Sequence, residues 1–287
     1  MRDNLEAFLR DLPAQDIINQ LSQEADISKS RATLILETFS NETRVTLELV
    51  EEYLDKNIKI LEVGAGLCIF SLFLKKQGFN IFALEPATSG FEVFSVAKRI
   101  ILNLMSDYEL KVIDSRIEEL CDSEKEEFDL IFSNNVLEHI PDLDGAIKSM
   151  ALVMKKNGMM VHSCPNYTVP YEPHLNIPVL KFWPGFSKQI FKKIIKEHID
   201  VWESLNFISC KDVKKIAQQN NLIAIFSSGV MYKAFNRLDV DMVYADRQSG
   251  SFIQLLWRFF KLVHIDWVLK WMPASISTPM IFTLRKV

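Results

Sequence analysis

The sequence is short of the residues that hold small secreted or metal-bound domains together. Cysteine occurs only four times, with no Cys-x-x-Cys pair, at Cys68, Cys121, Cys164 and Cys210. This spacing argues against a disulfide framework or a cysteine zinc site, and it fits a reducing compartment. The first residues also lack the apolar run of a signal peptide. A cytoplasmic location is therefore expected.

The chain also lacks an excess of charge of either sign. Its 33 Lys and Arg residues are nearly balanced by 37 Asp and Glu residues. It therefore offers no basic footprint for nucleic acid, and no nucleic-acid partner is expected. No internal repeat or low-complexity tract is present. A chain of 287 residues is long enough to bury a full core, as one large domain or one domain with additions.

Glycine is scarce, with nine residues, yet two of them stand together at Gly64 and Gly66. They follow the apolar run 58–63, typical of a buried strand, and precede the amphipathic segment 67–77. An acid, Glu85, comes at the end of the next apolar run. This order predicts a site for a nucleoside-containing cofactor. Glycines let the backbone approach such a ligand, and a carboxylate about 20 residues further on can accept its ribose hydroxyls.

The pattern along the chain predicts a helical start followed by alternating strands and helices. Residues 1–56 show helical spacing of apolar side chains. The predicted strands are 58–63, 80–85, 109–114, 128–133 and 158–164, and the predicted helices between them are 67–77, 89–104 and 143–156. Such alternation implies a parallel sheet covered on both faces. Asn157 and Gly158 are expected to end the third of these helices in a left-handed cap.

After the fifth predicted strand the alternation breaks. The next predicted elements are an irregular segment, a helix, a strand and a closing strand, at 165–196, 212–219, 222–228 and 279–285. Two stretches, 165–200 and 236–276, are predicted insertions of the kind that build lids or interfaces. The expected organisation is a helical cap over 1–56 and a main domain over 57–287.

Further polar segments fall where a cofactor site needs them. Asn134 and Asn135 follow the fourth predicted strand, and ligands of open α/β sheets bind outside the carboxyl ends of the strands. With these residues the chain resembles the class I S-adenosylmethionine-dependent methyltransferases, over roughly 56–166. The matching segments are 61–66, 84–86, 128–131, 136–140 and 154–158. The resemblance implies a Rossmann-like sheet of seven mostly parallel strands, the last antiparallel, and insertions near the active site.

The resemblance also implies which residues bind S-adenosylmethionine and its product S-adenosylhomocysteine. These are Glu62, Gly64, Ala65, Gly66, Glu85, Pro86, Arg116, Ile117, Asn134 and Asn135. The glycine turn would pass against the methionine part, and the neighbouring Glu62 would help to hold its polar end. Glu85 would bind the ribose hydroxyls. Arg116 and Ile117 would flank the adenine, and the two asparagines would lie beneath the sulfonium.

The chain departs from the family pattern at two positions. Cys68 replaces the third glycine, and Arg116 stands where the family often has an acid. One further residue bears on the alternatives. A nicotinamide-dependent oxidoreductase would need Gly or Ala at the third position of its own motif, and Ile69 stands there. That enzyme, and a non-catalytic scaffold of the same fold, remain the alternatives.

Three residues are candidates for catalysis. His174 and Tyr171 lie in the segment that leaves the fifth strand, so either could deprotonate a substrate hydroxyl or only position the substrate. His139 follows Glu138, and this pair resembles part of the metal-binding patch of ubiquinone-type O-methyltransferases. An upstream acid of that patch would fall at Asn135, and a packed, hydrogen-bonded histidine is the favoured interpretation. No metal is expected.

The methyl acceptor is expected to be a small molecule, free or linked to a lipid or sugar, and to be methylated on oxygen. The segment 251–272 is rich in aromatic and aliphatic residues but carries too many charges to span a membrane. It is predicted to cover the sheet or to form a homodimer contact. Peripheral attachment to a membrane surface is the alternative.

Overall fold

Seven strands in the described part of the chain form one sheet, as predicted. The computed structural model describes residues 1–86, 92–120, 127–240 and 252–287. The strands are β1 (Lys59–Val63), β2 (Asn80–Leu84), β3 (Lys111–Ile113), β4 (Phe128–Asn134), β5 (Met154–Cys164), β6 (Leu222–Phe226) and β7 (Met280–Lys286). Their spatial order is β3-β2-β1-β4-β5-β7-β6. Only β7 is antiparallel to its neighbours within this described sheet, which confirms the expected Rossmann-like architecture.

Thirteen α-helices occur in these residues. They are α1 (Arg2–Arg10), α2 (Ala14–Glu24), α3 (Lys29–Val50), α4 (Ile69–Lys76), α5 (Glu92–Leu104), α6 (Leu143–Val153), α7 (Pro184–Ile190), α8 (Lys192–Glu197), α9 (Ile199–Ser204), α10 (Cys210–Gln219), α11 (Val230–Val240), α12 (Phe252–Leu262) and α13 (Asp266–Lys270). Positions 89–91 of a predicted helix and 241–251 of the predicted second insertion lie outside the described residues, as does Cys121.

Apolar side chains cover the sheet on both faces, as a mostly parallel sheet requires. On one face α1–α3 share a hydrophobic core with α4 and α5; Phe8 packs against Phe73 with ring centroids 5.6 Å apart. On the other face α6 and α10 pack with the lid-like segment after β5, and Tyr167 and Trp202 belong to that core. The division into a cap over 1–56 and a main domain stays a prediction, and the cap helices are part of one continuous core.

The strand order reverses between β1 and β4, and this reversal places the functional crevice. In doubly wound sheets the loops on either side of such a point diverge and leave a cleft at the carboxyl ends of the strands. Gly64 follows β1 at that edge, and Asn134 ends β4 beside it. Two predicted site segments therefore meet at one crevice.

The predicted helix 143–156 is present, but its predicted end and left-handed cap are wrong. The helix ends at Val153, and β5 begins at once with Met154, which pairs with Phe128. The pairing of β5 with β4 is irregular between Phe128 and Leu130. An added Cβ at Gly158 would lie 3.0 Å from the carbonyl oxygens of Phe128 and Asp129. This glycine therefore permits close approach of two strands at a bulge.

Both insertions emerge at the carboxyl edge of the sheet, the edge that carries the crevice. One segment leaves β5 there, and a second joins the end of β6 to the start of β7, because β6 is parallel to β5 and β7 is antiparallel to both. Asn166 connects them, since its Nδ2 donates to the carbonyl oxygens of Ala274 at 2.8 Å and Ser277 at 3.0 Å. Among the helices described, none has the length and apolar character needed to cross a membrane.

Candidate active site

The Gly-x-Gly turn has the backbone that the sequence motif requires. Gly64 and Gly66 have φ angles of 71° and 54°, in the left-handed region where glycine carries no Cβ penalty. An added Cβ at Gly64 would lie 2.4 Å from Cγ2 of Val136, and one at Gly66 would lie 2.5 Å from Cε1 of Phe39. The turn is therefore a close backbone cradle, with Phe39 of α3 forming part of its cover.

The cysteine at the third glycine position keeps the glycine-like backbone. Cys68 has a φ of 60° and precedes α4 as its N-cap. Its side chain is fully buried with Ala65 and Ala83, so the thiol packs into the protein. Burial raises the pKa of this thiol far above its usual value, and the charges of Glu62 and Glu85 add to the effect. Cys68 is a neutral packing residue.

Two carboxyl groups flank the turn. Glu62, in β1, is buried and accepts a hydrogen bond from Ser71 Oγ; burial raises its pKa to about 8. Glu85 follows β2, and its Oε2 accepts a hydrogen bond from the backbone N–H of Gly66 at 2.8 Å. Burial raises the pKa of Glu85 to about 7, although this hydrogen bond and the charge of Lys98 lower it. The two acids lie close enough for the charge of Glu85 to add to the raised pKa of Glu62, and their roles towards the cofactor stay predictions.

The asparagines at the end of β4 meet an acid from the N-terminal helices. Nδ2 of Asn134 and Nδ2 of Asn135 each donate to Oε2 of Glu42 at 2.9 Å, and Asn134 also donates to Thr46 Oγ1 at 3.3 Å. Oδ1 of Asn134 is buried without a hydrogen-bond partner in the described residues. Burial raises the pKa of Glu42, although the hydrogen bond from Asn135 partly lowers it.

The remaining predicted cofactor residues lie at the neighbouring strand ends. Pro86 follows Glu85, and Ala65 lies within the turn, where its N–H donates to the carbonyl oxygen of Leu84 at 3.2 Å. Arg116 is exposed beyond β3, and its backbone N–H donates to Oε2 of Glu119 at 3.1 Å. Ile117 is buried in the core. Their contacts with adenine stay predictions.

His139 and His174 lie together beside the buried carboxylate of Glu138. Their ring centroids are 5.1 Å apart. Oε1 of Glu138 is 3.9 Å from Nε2 of His139 and 3.7 Å from Nε2 of His174. Burial raises the pKa of Glu138 to about 8. Burial and the adjacent His174 lower the pKa of His139 to about 4, so His139 is neutral at physiological pH.

A second buried acid orients His174. Oε1 of Glu172 is 2.6 Å from Nδ1 of His174, and its Oε2 accepts a hydrogen bond from the Tyr167 hydroxyl. Burial alone would raise the pKa of Glu172, but these hydrogen bonds hold it below the usual value. Burial alone would lower the pKa of His174, but the Glu172 carboxylate raises it, and the net result is a pKa above the usual value. Glu172 is thus an anion that fixes the imidazole.

Tyr171 does not join this cluster. Its side chain is exposed, and its hydroxyl donates to Oδ1 of Asn176 at 2.7 Å. Four residues outside the predicted site set lie in or beside this cluster, namely Glu42, Glu138, Glu172 and Ser204. In the sequence, Glu138 stands out only through its pairing with His139, and an acid in a long helix, such as Glu42, gives no local signal of the site that it reaches.

The sheet order, the antiparallel β7 and the acid-flanked glycine turn define a Rossmann-like domain built for a nucleoside-containing cofactor. Comparison with known sequences narrows this class. Residues 31–224 match the family described as a methyltransferase domain, which covers more than half of the chain. The protein belongs to this family of S-adenosylmethionine-dependent methyltransferases, and its cofactor is S-adenosylmethionine. The nicotinamide and scaffold alternatives are thereby set aside.

Relatives of known sequence support the assignment. An uncharacterized protein of Mycobacterium tuberculosis is 30% identical over 238 residues, covering 79% of this chain and 78% of that protein. A protein of Pelagibacter ubique named ubiquinone biosynthesis O-methyltransferase is 31% identical over 205 residues, covering 69% of this chain and 74% of the relative. The relatives thus include one without a known reaction and one named as an O-methyltransferase.

Solved structures show the same fold at low sequence identity. A phosphoethanolamine N-methyltransferase of Haemonchus contortus, in complex with S-adenosylhomocysteine, is 13% identical with a TM-score of 0.50. The match covers 85% of this chain but 52% of that enzyme, so this chain spans about half its length. A geranyl diphosphate C-methyltransferase of Streptomyces coelicolor has the same TM-score at 11% identity, over 86% of this chain and 77% of that one.

Proposed function

We propose that the protein transfers a methyl group to a hydroxyl oxygen of a small acceptor. The observation that carries this proposal is the cluster of Glu138, His139 and His174 at the carboxyl edge of the sheet. A hydroxyl must lose its proton to become a good nucleophile, whereas a neutral amine already has a free lone pair. His174, whose pKa its carboxylate partner raises, can accept that proton, so the cluster is more useful for an oxygen acceptor. The names of several relatives support the same atom.

The residues of the glycine turn fit the cofactor. Gly64 and Gly66 give the turn the left-handed backbone of a cofactor-binding strand-to-helix turn, and Glu85 has a second carboxylate oxygen to accept a ribose hydroxyl beside the one bonded to Gly66. Glu62, in the strand before the turn, would hold the amino end. When bound, S-adenosylmethionine supplies a methyl group on a positively charged sulfur. The turn and the two acids then orient that methyl, and orientation alone can contribute several kcal/mol, on the order of 7–11 at most.

The histidine cluster handles the proton of the acceptor. His174 holds a proton on Nδ1 against Glu172, which leaves the lone pair of Nε2 directed towards Glu138. Lone pairs at this position activate an acceptor hydroxyl in one of two ways. They accept the proton of the hydroxyl, or they hold a cation that lowers the pKa of the hydroxyl. The oxygen then bonds to the methyl carbon as the bond from that carbon to sulfur breaks. Tyr171 would take part in this proton transfer only if its side chain moved from the surface into the cluster.

The proposed acceptor is linked to a lipid, and the exposed surface of the second insertion supports this choice. Leu255, Phe259 and Leu262 are exposed on one side of α12, while Trp257 on the other side donates from Nε1 to Oδ2 of Asp239 at 2.8 Å. Exposed apolar faces with basic neighbours suit a membrane surface. Because this insertion leaves from the edge that carries the crevice, membrane attachment would place the active site near lipid.

Methyl transfer can be tested with two matched acceptors, a phenol and an aniline that carry the same polyprenyl chain. With methyl-labelled S-adenosylmethionine we expect the phenol to be methylated. His174→Ala should lower that rate at least about tenfold, since a proton-transfer group contributes roughly 10²–10⁴-fold. His198→Ala, which changes an exposed histidine, should have no effect. Preferential methylation of the aniline would contradict the assignment to oxygen.

Flotation with liposomes tests the membrane contact. The chain should float with vesicles that contain anionic phosphatidylglycerol, and Phe259→Ser combined with Leu262→Ser should abolish this. A homodimer contact is the competing use of this face. In that case the wild-type chain would not float, and its mass in analytical sedimentation would rise with protein concentration. The same double variant would abolish that rise.

A further inference from the structure

Three potential metal ligands converge from two separate segments. Glu138 and His139 belong to the short 3-10 helix Leu137–His139 after β4, and His174 comes from the loop after β5. One donor atom from each of the three lies within 4.8 Å of the others. For bonds of about 2.0–2.2 Å in a tetrahedral site, ligand atoms are separated by about 3.3–3.6 Å. A closing movement of less than about 1.5 Å would therefore complete a coordination sphere.

The outer hydrogen bonds of both histidines direct a lone pair into the cluster. Ser204 Oγ donates to the carbonyl oxygen of Val201 at 2.7 Å, so Nδ1 of His139, 2.7 Å from the same Oγ, must be the donor to it. Nδ1 of His174 donates to Glu172 at 2.6 Å. In the neutral form of both rings Nε2 is then the unprotonated nitrogen. Metal-binding histidines show this arrangement, with a carboxylate or other oxygen fixing the tautomer from behind.

The carboxylate between the two rings has no hydrogen-bond partner. Glu138 is fully buried, and neither of its oxygens accepts a hydrogen bond from the described residues. The nearest polar atoms, the two Nε2 atoms, are 3.7 and 3.9 Å away, which is beyond hydrogen-bond distance. Buried polar groups are nearly always paired, and an unpaired one destabilises the fold, more so if it is charged. A cation held between the three groups removes this penalty.

We propose that Glu138, His139 and His174 bind one divalent transition-metal ion, and that Zn²⁺ fits the ligand set best. Two imidazoles and one carboxylate form a set known from catalytic zinc sites, which keep a further position open. The set is poor for Mg²⁺ and Ca²⁺, which prefer oxygen ligands. This site departs from the expectation of no metal, because His174 comes from a loop that the sequence does not place beside Glu138.

The role of the ion rests on the proposed function, whereas its binding does not. The open position would take the oxygen of the acceptor hydroxyl. A bound metal lowers the pKa of a coordinated hydroxyl, so the O–H bond breaks, the proton passes to water, and the electron pair remains on oxygen. That oxygen then forms its bond to the methyl carbon, and the electrons of the broken carbon–sulfur bond stay on sulfur.

Zinc titration of the metal-stripped full chain tests the site without any acceptor. Calorimetry should show one Zn²⁺ per chain, with Mg²⁺ at least 100-fold weaker. Glu138→Gln and His174→Ala should each lower zinc affinity at least 100-fold, and the exposed controls His198→Ala and His264→Ala should leave it unchanged. Glu172→Gln should lower it about 10- to 100-fold, the usual effect of removing the group behind a ligating histidine.

Thermal denaturation of each variant without metal separates folding defects from lost ligands. Absence of stoichiometric zinc binding by the folded wild-type chain would overturn the site, and would leave Glu138 and His174 as a metal-free pair. Retention of zinc affinity in both His174→Ala and Glu138→Gln would do so as well. A chain that binds zinc at this site but methylates nitrogen would retain the site and overturn only the proposed acceptor atom.

Discussion

The two halves of the active site are built in different ways. The proposed cofactor half consists of the glycine turn, Glu62 within β1 and Glu85 directly after β2. The acceptor half combines side chains that are far apart in the sequence: Glu42 from α3, His139 after β4, and His174 from the loop after β5. The first half depends on backbone conformation and the second on side-chain tautomers and buried charge. Local motifs therefore define the cofactor, whereas tertiary packing defines the proposed acceptor chemistry.

The largest effect that separates the halves is expected from Glu85→Ala. It should weaken S-adenosylhomocysteine binding about 10- to 100-fold, because a hydrogen bond to a charged group contributes about 1.5–3 kcal/mol. Zinc affinity should not change. Calorimetry with each ligand measures both, and Asp107→Ala, at an exposed acid, is the matched control. Equal losses for the two ligands would show that the halves are one coupled unit.

The pH dependence of cofactor binding should belong to the cofactor half alone. Burial raises the pKa of Glu85 to about 7, and only the ionised carboxylate accepts both ribose hydroxyls. Affinity for S-adenosylhomocysteine should therefore fall as the pH drops through 7, by about tenfold between pH 8 and pH 6. Glu85→Gln should flatten this profile. If a pH dependence persists in that variant, Glu62, whose pKa burial raises to about 8, is the titrating group.

Glu42 lies between the halves, and its removal should affect both. Glu42→Ala takes away the acceptor of hydrogen bonds from Asn134 and Asn135. Each such bond contributes about 0.5–1.5 kcal/mol, so loss of one should lower affinity for S-adenosylhomocysteine and for zinc about 2- to 13-fold. Glu37→Ala, at an exposed position of the same helix, is the control. A loss confined to one ligand would assign Glu42 to that half.

The smallest effect is expected at the cysteine of the glycine turn. Cys68 already has a φ of 60°, so Cys68→Gly keeps the same backbone and removes only a buried thiol. Affinity for S-adenosylhomocysteine should stay within about twofold of the wild type, because glycine adopts this conformation without a Cβ penalty. A tenfold change by calorimetry would mean that the thiol supports the cradle through more than packing.

Much of the fold could be predicted from the sequence because it depends on local patterns. The strand–turn–helix around Gly64 and the antiparallel strand after Pro279 follow from hydrophobic periodicity and the family pattern. The extent of β5 could not be predicted in this way. Its first residues continue directly from α6 into a bulged pairing with β4, so the pairing partner, rather than helix propensity, decides where the helix ends.

The candidate site shows the same division between features that depend on local patterns and features that depend on tertiary contacts. His174 and His139 were recognisable as chemistry-bearing residues, but nothing in the sequence brings them together. Their meeting depends on the core formed by Tyr167 and Trp202 under the loop, and on the orientation of Glu172. Tyr171, only three residues before His174, is an equal candidate for proton transfer in the sequence, but its side chain lies at the surface. Contacts at long sequence separation therefore decide which neighbour reaches the crevice.

The loop that carries His174 closes on itself. The backbone N–H of Glu172 donates to the carbonyl oxygen of Ile177 at 2.8 Å, and the N–H of Ile177 donates back at 3.3 Å. Six consecutive residues therefore include an imidazole, the anion that orients it and the clasp that fixes the turn. The buried side chains of Leu175 and Ile177 and the hydrogen bond from Tyr167 to Glu172 tie this piece to the core. In evolutionary terms, a substitution of Glu172 or His174 alone is expected to alter the acceptor chemistry while the turn that binds the methyl donor stays unchanged.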